Sequence, residues 1–451
     1  MGESAWIAAG ASLTAVWLPV SALLLQGLRK TLPLEDFLAL HEDQALANAG
    51  PRDGSVASAG AVASAGKVPS VVSAGPARPD SPTLSVVVTA CNEAEEIEAS
   101  VRSLLRQDFP GLEIVVVDDR SEDATGAILD RIAAEPGAAG RLVVRHNRDL
   151  PPGRLGKCHA CALGAAQATG EWILFADGDV RFATPDLLSR TLFAAIRARL
   201  DHVAVLPDLR PQTLLTEATT NAFGWIDLLG VRAYEMDKDA ARGGGGVGAF
   251  NLVRRSAYDR IGGHDALLMD VADDYKLGRL LKESGARQRL FFGRGLVLCR
   301  WQKSALAVVK GLEKNFFGGF DYSLVKTAIV WLLLAASTFG PTALFLGALG
   351  GGVLPGETRS ATAAVAALLV QLLSVVVGHA AFGDRNGGRF AAVLLFPAGF
   401  ALVLAAIANS TWRTLRRGGV VWRGTLYPLA ELRRGLVPPR FGRRFRDVRT
   451  T

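Results

Sequence analysis

Leu84-Ser-Val-Val-Val-Thr-Ala90 is a short β-branched run that stops at Cys91-Asn92-Glu93. It reads as a buried strand, and Ile97, Val101, Leu104 and Leu105 after it recur at helical spacing. Working outward, the same alternation repeats. Glu113-Ile-Val-Val-Val-Asp118 is a second strand, followed by a helix through Ile128 and Ile132. Arg141 to Arg145 is a third, Gly156 to Ala168 an Ala-rich helix, and Trp172-Ile-Leu-Phe-Ala176 a fourth strand. Strands alternating with helices of this length predict an α/β domain, a mostly parallel sheet with helices on both faces. Ligands of such sheets bind beyond the carboxyl ends of the strands. Asn92, Asp119 and the pair Asp177 and Asp179 all fall there by chain position. Three strand ends bringing polar groups to one edge argue for a site without leaning on any single motif.

Further along, Leu187–Arg199 reads as a helix, Val203–Leu206 as a strand and Leu214–Glu235 as a long helix. No strand leads directly into the glycine run Gly243–Gly248, which disfavours a dinucleotide fingerprint. A mobile loop that lets backbone approach a ligand is the expectation. Ala249 to Val253 is strand-like. Asp270, Asp273 and Asp274 then crowd three carboxylates into five residues. Such crowding is repulsive unless a cation or a proton transfer uses it; a solvated helix start is the plainer alternative.

Apolar residues make up 49% of the 451 residues and mean hydropathy is +0.24, so membrane segments are expected. Ala5 to Gln26 approaches the ~20 apolar residues that cross a bilayer core of about 30 Å. No basic stretch precedes it and no small-x-small site closes it, so residues 1–30 read as an uncleaved anchor. Residues 41–82, rich in Ala, Gly, Ser, Val and Pro, read as a flexible linker. From Ser304 to Phe320, Leu306, Val309, Leu312, Phe316 and Phe317 share one helical face and Lys303, Lys310 and Lys314 lie elsewhere. That pattern predicts an interfacial helix over 304–322.

Three apolar blocks follow within 323–412: Leu324–Leu354, Ala361–Phe382 and Phe390–Ile407. The first is broken by Gly340-Pro341 and is a candidate re-entrant segment or hairpin. From Arg413 to Thr451 eleven Arg face only Glu431 and Asp447, a balance of +9 within a whole-chain charge of +7. The basicity therefore belongs to this tail, which beside apolar spans reads as cytoplasmic and facing anionic lipid. If catalytic domain and tail share a side, an even number of crossings must separate them, and three blocks pose a parity problem. No base-stacking aromatic module accompanies the charge, so nucleic acid is not an expected partner. Cys158-His159-Ala160-Cys161 lacks the second pair of a zinc site, and four cysteines in all fit reduced thiols in a cytosolic domain.

With these residues in place, the chain from about Leu84 to Phe320 resembles the inverting family-2 glycosyltransferases of GT-A fold. More narrowly, with its apolar flanks, it is similar to the membrane-bound lipid glycosyltransferases: the carotenoid, hopanoid-associated and ceramide glucosyltransferase groups. Val117-Asp118-Asp119-Arg120-Ser121 resembles their nucleotide-contacting strand end, and Asp177-Gly178-Asp179 their D-x-D metal motif. Ala272-Asp273-Asp274-Tyr275 resembles the motif whose second carboxylate is the general base, and Gly156-Lys157 opens the matching helix. The resemblance implies a catalytic domain over 83–303 within a multi-pass membrane protein, facing the cytoplasm. It implies transfer from a nucleotide-diphosphate sugar, a UDP-sugar above all, to a lipid hydroxyl, with Mg2+ or Mn2+.

Two carboxylates at i and i+2 flank a divalent cation that also holds phosphate oxygens. Asp179 is the expected direct ligand and Asp177 a metal or sugar-phosphate contact. Asn92, Glu93 and Asp119 are expected on the nucleotide, Lys157 on the phosphates and Arg300 on the leaving group. Asp274 takes the acceptor proton, and Asp273 caps or braces. Two departures stand out. Asp273 replaces the commoner Glu, and Val297 stands where the processive synthases of the family carry the Gln of Q-x-x-R-W ahead of Arg300-Trp301. A processive polysaccharide synthase and a catalytically silent scaffold are the alternatives.

Overall fold

The computed structural model describes residues 3–48, 82–239, 242–350, 358–386 and 388–437. Helices α1 (Glu3–Lys30) and α2 (Leu34–Asn48) precede the α/β domain. That domain runs β1 (Leu84–Ala90), α3 (Ile97–Leu105), β2 (Glu113–Asp119), α4 (Thr125–Ala133), β3 (Leu142–Asn147), α5 (Gly156–Gln167), β4 (Trp172–Asp177) and β5 (Val180–Phe182). It continues with α6 (Leu187–Arg197), β6 (His202–Asp208), α7 (Leu214–Gly230), β7 (Asn251–Arg254), α8 (Arg255–Arg260), α9 (Asp273–Glu283) and β8 (Gln288–Cys299). Then come α10 (Ala305–Gly311), α11 (Phe316–Gly319), α12 (Leu324–Gly350), α13 (Thr358–Asn386) and α14 (Phe396–Arg417), and last β9 (Gly419–Trp422), β10 (Thr425–Pro428) and α15 (Leu429–Arg434).

Eight strands form one sheet in the order β3-β2-β1-β4-β7-β6-β8-β5. The quartet β3-β2-β1-β4 and the pair β6-β8 are parallel, as the alternation predicts, but β7 is antiparallel to β4 and β6, and β5 to β8. The sheet is therefore mixed. Only two residues join β4 to β5, far short of the crossover a parallel neighbour needs, so β5 leaves for the far edge. All seven residues of β1 are buried, which is why its sequence is a continuous apolar run rather than an alternating one. Each large core side chain it buries contributes about 1.5–3 kcal/mol. Register aligns the ends: Thr89 lies between Val117 and Asp177, and Ala90 opposite Asp118.

Among the described residues, four helices are long and apolar enough to cross a membrane: α1, α12, α13 and the stretch Phe390–Arg417 that contains α14. Small residues let them approach. A Cβ on Gly10 would lie 2.9 Å from the Ala363 carbonyl oxygen, and one on Gly340 would lie 3.0 Å from Leu13 Cδ1. Contrary to the re-entrant expectation, α12 runs unbroken through Gly340-Pro341. Its neighbour α14 differs in kind, being 44% buried in protein against 11% for α12. It packs on α7, α10 and α11, and a Cβ on Gly399 would touch the backbone of α7 at Ala218.

Three segment readings change. Residues 41–48 continue α2, whose Leu34, Phe37 and Leu38 are buried and whose Phe37 ring stacks on Phe291 at 4.4 Å; residues 49–81 of the expected linker lie outside the described residues. The stretch Ser304–Phe320 is α10, a 3-10 turn and α11 rather than one helix. Its Leu312 and Phe316 are buried against α7 and α14, and its Phe317 among Val271, Tyr322 and the residues of β9 and β10, while Leu306 stays 66% exposed. The described part of the Arg-rich stretch, residues 413–437, is folded. After Gly418 ends α14 in the left-handed region at φ 68°, β9 and β10 form a hairpin whose two-residue loop, Arg423-Gly424, has φ of 49° and 78°. Residues 438–451 lie outside the described residues.

Candidate active site

The carboxyl ends of β1, β2 and β4 open on a cavity of about 600 Å3 whose lining includes Asn92, Glu93, Lys157, Asp177, Asp179 and Arg300. Asp177 ends β4, and its amide donates to the Gly248 carbonyl at 3.1 Å. Its carboxylate pairs with Lys157 Nζ at 2.8 Å. Burial disfavours the charge on Asp177, but the Lys157 ammonium outweighs it and holds the group below the usual carboxylate range. Asp179, one turn on, is pushed up by burial and by Asp177, and it accepts from the Cys299 thiol at 3.3 Å. Each carboxylate keeps acceptor capacity after these single contacts, which suits an oxygen-seeking divalent cation shared with phosphate oxygens. Two crowded carboxylates relieved on one side only by a lysine fit such an ion.

Asn92 closes β1 with φ 58° and a side chain that works on the neighbouring loop. Its Oδ1 accepts from the amides of Glu122 and Asp123 at 2.8 and 3.3 Å, tying the ends of β1 and β2 together. Glu93 is pushed up to about 7 by burial and by Asp179, with Arg423 acting against both. Asp119 lies off the cavity. Its side chain is fully buried, taking two bonds from Arg120 (2.8 and 3.0 Å) and one from Asn147 (2.8 Å).

The third acidic station stands behind a glycine wall. Gly248 N donates to Asp274 Oδ2 at 2.8 Å. A Cβ at Gly248 would lie 2.6 Å from Asp177 Oδ2, 2.9 Å from Asp274 Oδ2 and 3.1 Å from Lys157 Nζ. The glycine run thus packs between β4 and α9, with Gly278 of α9 against the backbone of Gly245 and Gly246. It brings the D-x-D and the acidic helix start together where a side chain would part them. Asp273 and Asp274 line a narrow space of about 10 Å3 shared with Lys157 and Asp177, and neither lines the large cavity. Asp273 turns inward, with ligand atoms of Cys161 and His264 within 4.8 Å, and burial pushes it up to about 6 against the pull of Lys157. Asp227 of α7 is pushed up to about 7 by burial and by Asp274.

The cavity wall also holds residues to which the sequence motifs gave no role. Trp301 follows Arg300, and Trp422, Arg423 and Lys314 come from the C-terminal third. Lys314 Nζ stands 3.9 Å from the centre of the Trp422 ring. Burial and the Lys157 charge bring it down to about 8. Amphipathic spacing treats Lys314 as the polar side of a helix, and composition treats Arg423 as one basic residue among eleven. Neither signal carries long-range placement. Val297 is fully buried in β8.

A family model, Glycosyl transferase family 2, matches residues 85–262. Over those residues the chain matches a family 2 domain, and it is a glycosyltransferase. It is similar to the 4,4'-diaponeurosporenoate glycosyltransferase of Staphylococcus aureus strain bovine RF122 / ET3-1, 23% identical over 359 residues, covering 77% of this chain and 89% of that one. The protein of the same name from strain USA300 is 24% identical over 358 residues with the same coverage. Among solved structures, the mannosyltransferase PcManGT from Pyrobaculum calidifontis, in complex with GDP-Man and Mn2+, covers 90% of this chain and 99% of its own. It aligns at 18% identity and TM-score 0.46.

Proposed function

We propose that this glycosyltransferase moves a sugar from a nucleotide-diphosphate donor to an apolar, lipid-like acceptor at a membrane surface, with inversion and a divalent cation. The observation that carries this reading is the placement of the D-x-D pair, Lys157, Glu93 and Arg300 around one cavity in a chain with four membrane-length helices. Asp179 and Asp177 hold Mg2+ or Mn2+, which when bound neutralises the diphosphate. Lys157 keeps Asp177 ionised for that task. The acceptor oxygen bonds to the anomeric carbon, the electrons of the bond to the donor oxygen pass to the leaving diphosphate, and the hydroxyl proton goes to Asp274. Asp273, turned inward, braces the helix start.

The relatives support an apolar acceptor, since 4,4'-diaponeurosporenoate glycosyltransferase is named for one, and that name denotes a carboxylate. Both acceptor types therefore belong in the test. The docked hairpin supports one membrane arrangement. Because β9-β10 packs against the catalytic domain, an even number of crossings separates the two, which α12 and α13 provide. On this reading α14 lies along the catalytic domain, α1 is the third crossing, and the domain faces the cytoplasm.

The test incubates detergent-purified full-length protein with UDP- and GDP-sugars, Mn2+ or Mg2+, and membrane lipid extract, and identifies products by mass spectrometry. A glycosylated lipid that is lost with excess chelator, and in Asp179→Ala at unchanged thermal stability, supports the reading. Polymeric sugar, or full turnover in chelator, overturns it.

A further inference from the structure

Two elements outside the matched family domain reach the donor cavity: the stretch before the membrane helices, through Lys314, and the hairpin after them, through Trp422 and Arg423. The hairpin is docked, not loose. Tyr427 Oη accepts from the Gly156 amide at the start of α5 at 3.2 Å, and Thr425 Oγ1 accepts from Arg120 at 3.4 Å. This seats the loop at the end of β2, with Arg423 at its tip in a left-handed conformation that non-glycine residues rarely adopt.

Both cations are poorly satisfied. Lys314 has no carboxylate within 4.0 Å among the described residues and rests on the Trp422 ring. Arg423 reaches Glu93 only at 3.8 Å, and its buried Nη1 has no hydrogen-bond partner. Lys157, by contrast, is already paired with Asp177. Both side chains are half-buried on the cavity wall, and a partly desolvated cation without a close carboxylate gains from an arriving anion. Resting on the proposed nucleotide-sugar chemistry, we infer that Lys314 and Arg423 bind the diphosphate of the donor, so that the chain on either side of the membrane helices completes the donor site. Trp422 holds the Lys314 ammonium in place by cation–π attraction. The leaving diphosphate gains charge as the sugar departs, and fixed cations aimed at it stabilise that change. A guanidinium also offers the paired donors that phosphate oxygens take.

The test is calorimetric titration of full-length protein in detergent with Mn2+, using whichever of UDP and GDP the wild type binds, and its nucleoside alone. Lys314→Gln and Arg423→Gln are each expected to weaken the nucleoside diphosphate about tenfold or more, leaving the nucleoside within twofold. Arg423→Lys should recover part of the loss, and serves as the decisive variant if Arg423→Gln lowers thermal stability. Equal loss of nucleoside and nucleoside diphosphate would show the hairpin to be only a wall of the site and overturn the inference. So would unchanged diphosphate affinity with turnover lost only on carboxylate acceptors, which would assign the cations to the acceptor anion. If the wild type binds neither UDP nor GDP, the nucleotide-sugar reading itself falls, and this inference with it.

Discussion

Asp273 and Asp274 are chain neighbours, yet the start of α9 points them to different places. Side chains about 100° apart on a helix cannot share a target. Asp274 meets the Gly248 amide, whereas Asp273 turns toward Cys161 and His264. Asp274→Asn keeps the shape and removes the basicity, so turnover on a hydroxyl acceptor should fall about 10²–10⁴-fold with little change in nucleotide affinity. On a carboxylate acceptor, ionised before it binds, the same variant should lose little. Parallel rates on both acceptor types decide the matter, and a collapse on both would move Asp274 from proton acceptor to structural brace. Lys314 gives a pH signature. It faces Lys157 of α5, Asp273 and Asp274 of α9 and Arg423 of the hairpin, and its pKa is down to about 8 from the ordinary 10.5. A lowered lysine pKa costs stability at neutral pH and returns it as pH rises between those two values. Anion binding has the opposite sign: it is full below about pH 8 and weakens above it, by up to about tenfold per unit. Nucleoside diphosphate affinity measured from pH 7 to 9.5 should show that fall, and Lys314→Arg should flatten it.

Among the elements, the glycine run shows most directly how local chemistry and packing join. Read alone, Gly243–Gly248 is a loop able to approach a ligand. In the fold it is a spacer between β4 and α9, and Gly248 is the position where an added Cβ would meet the carboxylates of both Asp177 and Asp274. Gly248→Ala should cost about 1–3 kcal/mol through overpacking. It should also reduce turnover by more than the loss of stability accounts for, because the added carbon pushes on the carboxylates of both Asp177 and Asp274. Thermal unfolding together with turnover measured well below the transition separates the two effects. If activity holds at wild-type level, the wall is looser than its geometry and the run is only a linker. The short helices of Ser304–Phe320 teach a related point. Their apolar stripe is real, but α7 and α14 cover most of it, and Lys314, in the 3-10 turn that follows α10, lines the cavity.

For the whole molecule, crossing number follows from where the two ends of the membrane region return. Engineered cysteines at Glu122, on the catalytic domain, and Arg416, at the end of α14, are both exposed positions, and the four native cysteines are buried. In sealed vesicles both engineered thiols should react with a membrane-impermeant reagent from the same side. Labelling from opposite sides would make α14 a true crossing and would be incompatible with a hairpin docked on the domain.

The sequence by itself determined the α/β alternation, the strand ends that carry Asn92 and Asp177, and the four apolar helices, because each of these is written in local periodicity. The acidic start of α9 was legible for the same reason. Tertiary structure alone decided that β7 runs antiparallel, that Arg120 closes over Asp119, and that Gly248 seats Asp177 beside Asp274. It alone drew Lys314 and Arg423 into the cavity, from positions more than a hundred residues apart. Side-chain periodicity reports which face of an element is buried but not which distant element covers it, and a cation drawn under a distant hairpin leaves no local pattern to read.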